Sequence, residues 1–131
     1  MTIAEYQAAG YAVSNHVRQE QVNKIEADVT NAYIKPIQGA ASGDDVTAAV
    51  KAATMELTFF GLLRSEIQAT RIGAKVKTVT NSYTPDLWQM MNECAKLCDL
   101  KLMMLREVCA NDDASVYDYL GIYFKSNFVS L

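Results

Sequence analysis

Residues 44–63 read DDVTAAVKAATMELTFFGLL. Val46, Ala49, Val50, Ala53, Leu57 and Phe60 recur at three- and four-residue steps and make one apolar stripe of a helix. Met55, Phe59, Leu62 and Leu63 make a second stripe on the same helix. A helix with two apolar faces is either central in its own domain or turned toward another chain on one side. The stretch therefore predicts an all-α protein built around this segment, running from Asp44 or Asp45 to about Arg71. A carboxylate at its start caps free N–H groups and complements the helix dipole. Phe59 and Leu62, on the second stripe, are assigned to a subunit interface.

Upstream, Thr2 followed three residues later by Glu5 has the form of a capping box, opening a short helix to about Ala9 before Gly10 loosens the chain. A second helix is predicted from Ser14 or Asn15, carrying Val22, Ile25, Val29, Ala32 and Tyr33 on one face. Pro36 should end it, because the residue before proline is pushed out of the helical region. The linker IQGAASGDD, residues 37–45, follows. Downstream, Thr84-Pro85-Asp86 signals a strong helix start. Leu87, Met90, Met91, Cys94, Cys98, Leu102, Leu105 and Cys109 continue that helix until Asn111-Asp112-Asp113. A last helix over about 114–124 leads into the tail SNFVSL. The whole reads as a single domain, a small bundle with two long central helices and a C-terminal helix with a tail.

Composition limits what such a domain does. Its 131 residues suffice for a core without disulfides or metal, and a formal net charge of −3 argues against binding nucleic acid through an overall basic surface. No apolar run approaches the roughly 20 residues of a membrane span, and MTIAEYQAAG lacks the basic region and apolar core of a secretory signal. Three cysteines, an odd number, point to a reducing compartment. The expectation is a chain made in the cytoplasm with no membrane partner.

No residue pattern argues for an enzyme. Cys94 and Cys98 lie one turn apart and could face a metal or each other, but they share a stripe with Met90 and Leu105 and read as small core hydrophobes. A zinc site wants about four ligands, and the single histidine, His16, is remote in sequence. Phosphate-cradle, nucleophile-elbow and zinc-protease motifs are absent. Asp44-Asp45 and Asp112-Asp113 sit at helix ends, where capping accounts for them. No catalytic residue, cofactor or metal is assigned.

Two segments remain unusual. Between the two longest helices, residues 71–84 carry Arg71, Lys75 and Lys77 with no acid, and Lys75-Val76-Lys77-Thr78-Val79-Thr80 alternates in the manner of extended backbone. We read it as an extended arm or β-ribbon, with Arg71, Lys75, Val76, Lys77, Val79 and Asn81 as assembly residues, since exposed extended backbone pairs readily with another chain. At the other extreme, Tyr117, Tyr119, Tyr123, Phe124 and Phe128 crowd the end of the chain. A helix with Tyr117, Leu120 and Phe124 on one side and Tyr119 and Tyr123 on another has more apolar area than one contact hides. Residues 114–131 are therefore read as a docking segment.

This order of parts resembles the head–tail connector (adaptor) proteins of tailed bacteriophages. The likeness covers most of the chain. It rests on the Thr2-x-x-Glu5 helix, the helix end from Glu26 to Ile37 (EADVTNAYIKPI), and two long helices flanking Thr70-Arg71-x-Gly73 and an arm that reaches Asn81-Ser82-Tyr83. The resemblance implies a structural virion protein of the neck that forms a homo-oligomeric ring, usually twelvefold, beneath the portal. Such a ring joins the portal protein to a downstream tail or stopper protein, and genomic DNA passes through its channel without sequence-specific binding. It also implies portal docking by the C-terminal segment, with Tyr117, Tyr119, Tyr123, Phe124 and Phe128 as the contacts. Two other readings compete: a free-standing helical-bundle binding or regulatory protein, and a small thiol-dependent enzyme.

Overall fold

The computed structural model describes the backbone of residues 1–73 and 83–109, and the side chains of 1–68 and 87–109. The described backbone is all-α, without strands: α1 (Ile3–Ala8), α2 (Gln19–Val29), α3 (Lys35–Gln38), α4 (Asp44–Gly73) and α5 (Tyr83–Val108), with a π-helical turn (Thr30–Ile34) joining α2 to α3.

The capping box forms as the sequence predicts. Thr2 accepts from the Glu5 N–H at 3.1 Å, and the Glu5 carboxylate accepts from the Thr2 N–H at 3.1 Å. Gly10 follows with φ 96, a left-handed value that any other residue adopts only under strain. The second helix departs from expectation. It starts at Gln19, not at Ser14 or Asn15, and Arg18 at its N-cap makes no side-chain bond. Tertiary contacts set that start: Gln19 Oε1 accepts from the Ile3 N–H at 3.0 Å while its Nε2 donates to the Met1 carbonyl at 2.8 Å. Ser14 instead accepts from the His16 N–H in a local turn.

Pro36 does not end the helix either. The backbone widens into the π-helical turn just before it, where the Lys35 N–H bonds to the Thr30 carbonyl. A widened turn moves the ring away from the carbonyl it would strike in a regular helix. Helical backbone then persists to Gln38 and stops at Gly39, φ 55.

α4 is the centre of the fold, as the two-faced stretch indicates, but both faces are covered within the chain. Phe59 and Leu62 are only 8% and 4% exposed, so the assignment of these two residues to a subunit interface gives way to core packing. The cover on the Phe59 side comes from the N-terminal segment, whose Tyr11 ring lies 5.1 Å from that of Phe59. Gly61 opens room for α2, and Ile25 Cγ2 stands 2.9 Å from where a Cβ would be. By length and composition Asp44–Gln68 is apolar enough to cross a membrane, yet most of that window is buried inside the chain, as in a core helix.

α5 packs along α4 through Met91, Cys94, Cys98, Leu102 and Leu105 of the predicted periodic face, joined by Ala95. The nine residues 74–82 span at most about 35 Å fully extended, less than the roughly 45 Å length of α4. α5 must therefore run back beside α4 as an antiparallel hairpin. The expected arm is shorter than drawn from sequence. Arg71–Gly73 belong to α4, and Tyr83 and Thr84 belong to α5. Lys75, Val76, Lys77, Val79 and Asn81 lie outside the described residues, as do the Asn111–Asp113 stop, the helix expected over 114–124 and the docking residues Tyr117, Tyr119, Tyr123, Phe124 and Phe128.

Candidate functional site

One acid interrupts the apolar run of α4. Glu56 sits between Met55 and Leu57, all three buried. Leaving a carboxylate there without partners costs several kcal/mol, and three elements converge to supply them. Lys101 on α5 donates to Glu56 Oε1 at 2.7 Å. Tyr11, in the segment after α1, donates its hydroxyl to the same oxygen at 3.1 Å and accepts from Lys101 Nζ at 2.9 Å. The Cys94 thiol lies 3.0 Å from Oε2. The Lys101 ammonium also stands 5.6 Å from the Tyr11 ring centroid, within cation–π range.

These contacts tune the groups. Burial raises the Tyr11 phenol above its ordinary value, aided by the Glu56 charge. Burial opposes the charge on Lys101, but the bonds to Glu56 and Tyr11 outweigh it and hold its pKa above the usual lysine value. The neighbouring Cys98 thiol and burial together push the Cys94 thiol far upward. Cys94 is thus a protonated hydrogen-bond donor, the opposite of an activated thiolate. Among the described residues no three His, Cys, Asp or Glu side chains come together as a metal site.

Beside this cluster lies an open cavity of about 380 Å³, lined by Gly10, Tyr11, Phe59, Met90 and Leu97 and by the charged residues Glu56, Glu93 and Lys101. The volume falls within the range of small-ligand pockets, and the mixture of apolar wall and few polar groups is of the same kind. Glu56 and Tyr11 have their hydrogen bonds made inside the cluster, which leaves one Lys101 N–H to address an acceptor in the cavity.

The cavity opens onto a second feature. Leu97, Leu100, Met103, Met104 and Val108 on α5 are 38–52% exposed, although each is large and apolar. Leu97, Leu100, Met104 and Val108 fall at helical spacing, so they make one stripe next to the buried face. The sequence reading passed over Glu56, Lys101 and Tyr11. The signal for Glu56 was available: it is the single acid among residues 53–63.

Of the sequence-assigned residues, Phe59 lines the cavity and Leu62 is buried in the core. Arg71 lies in the last turn of α4. Cys109 is half-buried just past α5, and His16 is exposed in the turn before α2. Compared with protein families, curated proteins and solved structures, the chain has no match.

Proposed function

We propose that the chain is a structural adaptor of the phage neck: a ring subunit that joins the portal to the tail and continues the DNA channel, without catalysis or cofactor. One observation carries this reading. The α4–α5 hairpin is a self-packed body whose two unusual sequence segments attach at opposite ends. The basic stretch 74–82 connects α4 to α5 at one end. The aromatic-rich stretch 110–131 follows α5, which is about 39 Å long, at the other. A rigid spacer with a different sticky segment at each end suits a part that holds two partners apart and together. The order of parts shared with head–tail connectors supports the same reading, as does the net negative charge, which suits a conduit for DNA.

Electron microscopy of the purified full chain, alone and mixed with a phage portal protein, tests the proposal. Rings on the portal are the expected result. A chain that stays monomeric and unbound in both samples overturns it.

The cavity beside Tyr11 and Lys101 favours a second reading, a free-standing helical binding protein. Light scattering after size exclusion separates the two: the binding protein stays small at every concentration and with portal present.

A further inference from the structure

We propose that the exposed apolar stripe of α5 is covered by the same stripe of a second copy, the two helices running antiparallel about a two-fold axis. The pair is a state of the free chain and goes beyond the proposed function. Its contacts lie within α5 and leave the segments 74–82 and 110–131, on which that function relies, to their own partners.

The stripe has no cover among the described residues. Leu97, Leu100, Met103, Met104 and Val108 are the large apolar side chains left exposed there, and all five belong to α5. Scattered apolar residues on a surface need no explanation, but a contiguous row of this kind does. α4 offers no such row, because Phe59 and Leu62 are buried within the chain. An apolar contact between copies therefore falls to α5 on both sides, which is the self-complementary arrangement of a two-fold interface.

Charge favours a second copy and sets its direction. Lys96, Met103 and Glu107 share one flank of the stripe, at steps of seven and four residues. Lys96 and Glu107 are both exposed, about three turns apart, and neither enters an ion pair among the described residues. In an antiparallel two-fold pair each flank faces the same flank of the other copy. With the axis between positions 101 and 102, Lys96 of each copy lies opposite Glu107 of the other, and Met103 lies opposite Leu100. Each of these contacts is made twice. A parallel pair turns the flank toward the other copy's Lys101 instead, a cation already bonded to Glu56, and sets Lys96 against like charge.

The size of the stripe fixes how tightly it pairs. Five half-exposed side chains from each copy fall short of the roughly 20–30 residues a side of a stable complex. The pair is therefore weak and reversible, and forms as concentration rises. Its exposed ion pairs govern orientation more than strength.

The test is sedimentation of the full chain over a dilution series. Beside wild type run Lys96→Glu, Glu107→Lys, both changes in one chain, and Leu100→Lys with Met104→Lys. All four positions are exposed, so helical content should match wild type in every form. Expected is a reversible monomer–dimer equilibrium in wild type. Either single charge change sets like charges together twice and should weaken pairing at least tenfold. The double exchange should restore it, as should an equal mixture of the two single variants. The stripe variant should stay monomeric throughout. Wild type that is monomeric at every concentration overturns the proposal, as does a dimer that the stripe variant keeps. A dimer that needs the stripe but ignores the charge exchanges overturns the antiparallel pairing.

Discussion

Glu56 on α4 and Lys101 on α5 meet at 2.7 Å, joining the two long helices through an ion pair whose acid is almost wholly buried. Tyr11 donates to the same oxygen as Lys101, and the Cys94 thiol lies 3.0 Å from the other. The pair fixes which turn of α5 lies against which turn of α4, a register that a face of Leu, Met and Cys alone specifies loosely.

Removing the cation tests this directly. Lys101→Met strands the Glu56 carboxylate and should cost about 2–3 kcal/mol at neutral pH, the lower end for a broken buried pair because water reaches the lysine side. Adding Glu56→Gln should cost much less than the sum of the two single changes. Urea titrations of the four proteins measure the cycle; simple additivity would show that the two residues act independently.

Alkaline pH probes the same cluster and the Tyr6 site. Tyr6 donates to Glu26 at 2.9 Å, and burial raises its phenol; Tyr11 and Lys101 are raised as well. A pKa higher in the folded state than in the unfolded chain gives stability that is present below the unfolded value and lost as pH rises past it. Stability should therefore hold to about pH 10 and fall steeply above it. The slope should be smaller for Tyr6→Phe with Tyr11→Phe, even though both changes lower stability at neutral pH. An equal slope in wild type and variant would remove the tyrosines from the account.

Much of the fold is legible because its causes are local. The Thr2–Glu5 box and the Cys94–Cys98–Leu102–Leu105 face depend on spacing alone, and both form. Pro36 was misread because the rule for proline presumes regular α geometry, whereas Thr30–Ile34 widens to admit it. The start at Gln19 was hidden because its partners, Ile3 and Met1, are distant in sequence. The two-faced helix left two choices open, and only the position of Tyr11 over Phe59 decides that the chain covers its own second face. The Glu56 cluster joins residues from three parts of the chain, a pairing that no periodicity encodes.

Gly61 shows how closely α2 rests on α4. Alanine there gains about 0.5–1 kcal/mol of helix propensity but places its Cβ 2.9 Å from Ile25 Cγ2, a branched atom fixed to its own backbone. Overpacking costs about 1–3 kcal/mol, so Gly61→Ala should destabilise. In an Ile25→Ala background the same change should stabilise by about 0.5–1 kcal/mol. Thermal melts of the four proteins reveal whether the sign reverses.

The thiols test the enzyme reading. Cys94 and Cys98 are buried, with the Cys94 thiol held protonated, while Cys109 is half-buried at the end of α5. Native protein should react with a thiol reagent quickly at no site, and at Cys109 first. All three should react on denaturation. Rapid labelling of Cys94 in the folded chain would mark it as an exposed thiolate and reopen thiol chemistry.

The basic stretch between the helices separates fold from assembly. Two antiparallel helices need only about 2–5 residues to connect them, so replacing residues 74–81 with Gly-Gly should leave helical content and melting temperature near wild type. The same shortened chain should lose ring formation, if the removed stretch is the arm through which one copy reaches its neighbour or the adjoining ring. Lys75→Ala with Lys77→Ala should act far more gently. Exposed ion pairs contribute about 0–1 kcal/mol each, so assembly should weaken slightly and become less sensitive to salt if the lysines meet protein. If they meet the DNA in the channel, assembly should persist while packaged genomes leak. Light scattering of the isolated ring and infectivity of the assembled particle distinguish these outcomes. Normal rings and full infectivity from the shortened chain would show that the stretch is only a connection.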